Sequence, residues 1–136
     1  MNGAMGPSTA LYRDDYVSVH LEREGKLLRV MRSAKAYPDI ATVEQSYGQL
    51  IDMVLSLRRK DLVLLNDQRL APGRNDPEFE QALVRLRNRL YPLFRKRAVL
   101  VQSMVGKLQL TRLSKADGLT RLVSQDEAEI FRYLEV

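Results

Sequence analysis

The sequence predicts an α/β fold with a mainly parallel central sheet covered by helices, and three features carry that reading. Two apolar runs, LVLLN (62–66) and AVLVQ (98–102), continue without alternation, as strands do when both faces of their sheet are covered. Between and after these runs, apolar residues recur every three or four positions, the helical period. The stretch YVSVHLER (16–23) alternates strictly instead, setting Val17, Val19 and Leu21 against Ser18, His20 and Glu22, which marks a strand with one buried face.

Taken in order, YVSVHLER and LLRVMR (27–32) form a hairpin joined at Glu24-Gly25-Lys26. Thr42 followed by Gln45 reads as a capping box. It opens a helix whose apolar face is Val43, Tyr47, Leu50, Ile51, Val54 and Leu55 and which ends near Arg58-Arg59-Lys60. LVLLN is the next strand. Asp76 as cap, Pro77 in the first turn and Glu78 and Glu80 at the positive end start a second helix with Phe79, Leu83, Leu86, Leu90 and Phe94 inward. Arg85, Arg89 and Lys96 fall on its opposite side, and Pro92 loosens its last turns. AVLVQ is a strand, Met104 to Lys115 a short helix, and TRLVS (120–124) the last strand. A second capping box, Ser124 to Glu127, begins a final helix with Ala128, Phe131 and Leu134 inward. The order is strand, strand, helix, strand, helix, strand, helix, strand, helix. An N-terminal β-hairpin followed by alternating β/α units implies a mixed, mainly parallel sheet. Residues 1–10, small, polar and glycine-rich, are read as a flexible N-terminal tail, and 11–136 as one domain.

Composition removes several classes of chemistry. The 136 residues include no cysteine and one histidine, so disulfides, thiolate metal sites, cysteine nucleophiles and multi-histidine centres are excluded. No G-x-S-x-G elbow, P-loop or G-x-G-x-x-G occurs. No cofactor is expected. No apolar run is long enough to span a membrane and no signal-type leader is seen, so a cytoplasmic protein is expected. The net charge is +5, but residues 81–121 carry ten Lys and Arg against Asp117 alone, which suggests a basic face and an acidic partner. Nucleic-acid recognition would add exposed aromatics for stacking. Tyr91 is the lone aromatic of that segment off the buried helical stripe, so no specific nucleic-acid partner is expected.

The segment LLNDQRLAPGRNDPEFE (64–80) sets two carboxylates, two arginines and two amides between a buried strand and a helix. In open α/β sheets the carboxyl ends of strands are where ligands and partners bind. Asp67, Gln68, Arg69, Arg74 and Asn75 are therefore the candidate recognition loop, with Arg85 and Arg89 steering an acidic partner from the following helix.

The hairpin YVSVHLEREGKLLRV, the strand LVLLNDQR, AVLVQ with its following helix, and the closing SQDEAEIFRYL together resemble STAS domains, the anti-sigma-factor-antagonist-like (SpoIIAA-like) fold, over roughly residues 14–136. The resemblance implies a non-enzymatic bacterial signalling domain that works by protein–protein contact. Sporulation-type members are phosphorylated on a Ser or Thr directly after the strand-ending Asp. Here Gln68 and Arg69 stand in that position, so what carries over is the docking use of the loop and helix, not the phosphorylation switch.

Three functions follow as expectations. The leading one is a regulatory interaction domain; the second is binding of a small ligand or anionic lipid through the basic segment. The third is a hydrolase using Asp67 and Asp76 with magnesium. Homodimerisation through an edge strand is a further expectation.

Overall fold

A computed structural model gives the architecture and describes residues 9–73, 76–103 and 120–136. Six strands form one mixed sheet: β1 (Thr9–Arg13), β2 (Val17–Glu22), β3 (Leu27–Arg32), β4 (Val63–Asp67), β5 (Lys96–Leu100) and β6 (Leu122–Ser124). Their spatial order equals their chain order. β1, β2 and β3 pair antiparallel; β3, β4, β5 and β6 run parallel. Among the described residues the α-helices are α1 (Ile40–Leu57), α2 (Pro77–Leu90) and α3 (Glu127–Leu134). The α/β reading with its hairpin and parallel units thus holds. Among the described residues no helix is long and apolar enough to cross a membrane.

Helices α1 and α2 lie side by side on one face, where Val43, Leu50, Val54, Phe79, Leu86 and Leu90 meet Leu28, Val30 and Leu64 of the sheet. On the other face α3 sets Ile130 and Leu134 against Leu27, Val63, Leu65, Ala98 and Leu100. The period of two explains the split: successive residues of β4 feed opposite cores, so Val63, Leu64 and Leu65 are all buried. Both apolar runs are therefore internal rods of a covered sheet, which delivers the end of β4 to the carboxyl rim.

Several local expectations change. β1 is an additional edge strand, and Thr9 and Ala10 belong to the sheet rather than to a tail. Its pairing with β2 shifts register between Ala10 and Tyr12, so the alternation that would reveal a strand is broken. Helix α1 starts earlier than Thr42 because Asp39 is its cap, accepting from the Thr42 amide at 2.8 Å and the Thr42 hydroxyl at 2.6 Å. β5 begins at Lys96, two residues before AVLVQ; Lys96 pairs with Val63 and its ammonium reaches the Tyr133 carbonyl at 3.0 Å, so it is not part of α2. At α3 the cap is Asp126, Ile130 and Leu134 are buried, and Ala128 is exposed. Pro92 acts as expected: α2 stops at Leu90 and a 3₁₀ turn, Tyr91–Leu93, follows. The helix expected over Met104 to Lys115 lies outside the described residues.

Candidate functional site

The end of β4 becomes a tight turn in which the Ala71 amide donates to the Gln68 carbonyl at 3.1 Å. Arg69 and Leu70 are the two corner residues. The Gln68 amide donates to the Leu100 carbonyl at 2.8 Å, tying the turn to β5. A polar chain supports it from below. Gln68 Nε2 donates to Asn66 Oδ1 at 2.6 Å, and Asn66 Nδ2 donates to the Tyr91 hydroxyl at 2.9 Å. The Tyr91 ring in turn faces the Arg121 guanidinium at 4.6 Å. Burial pushes the Tyr91 hydroxyl pKa up, so it stays a neutral hydrogen-bonding group.

Asp67 is the anchor of the turn. Its side chain is 4% exposed, and both oxygens are taken by Arg69: Nε at 3.0 Å and Nη2 at 2.7 Å, with the Arg69 backbone amide at 3.1 Å. A two-pronged pair of this kind fixes the guanidinium plane. Arg69 nevertheless remains 43% exposed, and the adjacent Leu70 is 59% exposed. The Asp67 hydrogen bonds raise the Arg69 pKa, and Glu127 at the start of α3 adds to its negative surroundings. Glu127 is itself held by Arg29 at 2.8 Å, which also engages Glu22 at 3.1 Å.

The candidate residues therefore separate. Asp67, Gln68 and Arg69 come together at the rim, but Asp67 works from inside and does not present itself to solvent. Arg85 and Arg89 are exposed on one side of α2, about 12 and 18 Å along the axis from its start at 1.5 Å per residue. They lie along α2 as it returns from the rim toward the start of the parallel strand β5, and so do not join the rim's centre. Arg74 and Asn75 lie outside the described residues. Leu70 was not singled out by sequence reasoning; an apolar residue inside a polar loop was the signal for it. Asp76 caps α2 through the amides of Glu78 and Phe79, so the pair Asp67–Asp76 is committed to an arginine and a helix end. Among the described residues no group of three or more His, Asp or Glu is placed to hold a metal ion.

A second region escaped the sequence reading. The β1–β2 connection and the first half of α1 enclose a cleft of about 300 Å³ lined by Tyr12, Asp14, Asp15, Tyr16, Thr42, Gln45, Ser46 and Gln49. Asp14 accepts four hydrogen bonds: Tyr12 hydroxyl 2.8 Å, Ser46 hydroxyl 2.8 Å, and the amides of Tyr16 and Val17 at 2.7 and 2.8 Å. Burial alone would raise its pKa, but these bonds outweigh burial and hold the carboxyl below its usual range. The Tyr12 phenol is pushed up to about 12, by burial first and then by the bond to Asp14 and its charge. The signal for this cleft was Asp14-Asp15 directly before an alternating strand, a turn-forming pair.

No known family model matches this chain, and no characterised protein or solved structure is significantly similar to it. The resemblance to STAS domains rests on the residue pattern alone.

Proposed function

We propose that this chain is a regulatory protein–protein interaction domain, STAS-like in using the rim after β4 and the following helix as its docking surface. The observation that carries this reading is the Asp67–Arg69 clamp: a buried carboxylate fixes an exposed guanidinium beside exposed Leu70 at the corner of a turn. Holding the arginine in advance removes part of the ordering cost of binding. Arginine next to an apolar knob suits a partner with carboxylates around a shallow apolar socket. Arg85 and Arg89 on α2 would speed encounter with such an acidic surface. The domain acts by binding rather than by chemistry, since the polar groups of the rim are spent on one another.

Anionic-lipid binding through the basic segment is the second reading, and the cleft beside α1, with Asp14 and Asp15 in its lining, is not a headgroup site for it. Edge pairing into a homodimer through β1 is opposed by its irregular register and by exposed Arg13, features that blunt an edge.

The test is affinity capture from the native cell with wild type, Leu70→Asp and Arg85→Glu side by side. The reading expects a stoichiometric partner whose recovery falls with salt and is lost with Leu70→Asp. An identical set of proteins retained by all three would remove the rim from consideration.

A further inference from the structure

The cleft beside α1 has an unusual hydrogen-bonding character. The Tyr12 and Ser46 hydroxyls each donate their single proton to Asp14, and Thr42 donates its own to Asp39. A hydroxyl whose proton is committed offers only lone pairs to anything else. These three hydroxyls offer lone pairs and no proton, beside the Asp15 carboxylate and near Asp14 and Asp39, and the Ser46 oxygen already accepts from the Tyr37 hydroxyl at 3.5 Å. No lysine or arginine is among the described lining residues. The Gln45 and Gln49 amides add donors to this wall, but among the described lining residues its formal charges are the carboxylates of Asp14 and Asp15, and that negative field favours a cation.

The protein already contains an example of that cation. The Lys35 ammonium binds Asp15 at the mouth, 3.1 Å from Oδ2, and lies 5.5 Å from the centre of the Tyr16 ring. That ring is stacked on Tyr37 at 4.6 Å, over which the Arg32 guanidinium sits at 4.4 Å. The aromatic plane that meets an ammonium is therefore rigid. Asp15 and Lys35 are 72% and 59% exposed, so a competing cation can reach and replace this contact.

We infer that the cleft binds a small aliphatic amine bearing at least two ammonium groups, one on Asp15 over the Tyr16 ring and another among the Tyr12, Thr42 and Ser46 oxygens. A metal ion fits poorly, because each Asp14 oxygen already accepts two hydrogen bonds and is closed to coordination. An anion meets no positive side chain among the described lining residues. The volume of about 300 Å³ is at the lower end for small-molecule sites and exceeds the needs of one ammonium tip.

The experiment titrates 1,4-diaminobutane into the full chain at low ionic strength, where exposed charges are least screened, and reads backbone amide shifts. Saturable shifts confined to the Tyr12–Tyr16 and Thr42–Gln49 segments are expected, with 1-aminobutane binding more weakly. Lys35→Ala, which removes the internal competitor, should tighten binding about two- to fivefold, and Asp15→Asn should weaken it by a similar factor, the range for one exposed ion pair. Both side chains are on the surface, so neither variant disturbs the core. Failure to saturate even with Lys35→Ala would overturn the proposal, as would an unchanged affinity in Asp15→Asn. Shifts spread over acidic residues across the molecule would also overturn it, as general attraction of charge.

Discussion

Asp14 and Asp67 each sit just beyond or at a strand end with both oxygens engaged, yet they give their surroundings opposite outward chemistry. Asp67 spends both oxygens on one guanidinium, so its own charge is cancelled and a fixed cation is shown to solvent. Asp14 spends its oxygens on neutral hydroxyls and amides. Its charge therefore persists, and the hydroxyls turn their lone pairs outward. The lesson is that the sign a surface presents depends on the partner a buried carboxylate selects, more than on the carboxylate itself.

The two carboxylates should differ first in what they contribute to stability. Asp14→Ala leaves two hydroxyls and two backbone amides without their acceptor, and a loss of about 3 kcal/mol in denaturant unfolding is expected. A loss below about 1 kcal/mol would mean that water replaces those bonds freely. The rim should respond less and in a lopsided way. Arg69→Ala strands a buried carboxylate and should cost about 2 kcal/mol, less than for a fully buried pair because the arginine is half exposed. Asp67→Asn, which releases Arg69 to solvent, should cost less than Arg69→Ala; equal losses would show that Arg69 adds only packing. Reversing the charge of Arg69 would likewise leave the buried Asp67 carboxylate without its partner, so that variant too should lose stability.

Acidity sharpens the contrast next. The Asp14 pKa is lower folded than unfolded, so its stabilisation is present above the ordinary carboxylate value of 3.8 and is lost as pH falls through the folded value. Asp14→Asn should flatten that acid limb. For Tyr12 the sign reverses: its folded pKa is raised from 10.0 to about 12, so its contribution is complete below pH 10 and disappears as pH climbs between these values. Tyr12→Phe should remove that alkaline decline. The smallest effect belongs to Arg85→Glu on exposed α2, where unfolding free energy should stay within about 0.5 kcal/mol while capture of an acidic partner weakens. A larger drop would make Arg85 structural.

Much of the frame was legible because its signals are local and periodic. LVLLN and the Asp76-Pro77 start of α2 could be read directly, since a doubly covered strand and a capped helix write themselves into consecutive residues. β1 was hidden by its broken register, and the α1 cap by Thr42, which imitates a capping box while bonding to Asp39. At the rim the end of the strand at Asp67 was legible, whereas which acid Arg69 takes, and that Asp67 is buried by it, depends on a turn folding Arg69 back by two residues. The Asp14 cleft needed contacts between residues 32 apart, such as Ser46 to Asp14, and no periodicity records those.

One two-probe titration tests the central contrast most directly. Amide spectra of the full chain are recorded with 1,4-diaminobutane and, separately, with a short peptide of glutamates flanking one leucine. The account predicts that the peptide moves the amides of Gln68 to Ala71 and leaves Tyr16 and Thr42 in place, while the amine does the reverse. Both probes moving the same amides, or the peptide passing over the Arg69–Leu70 turn, would contradict it.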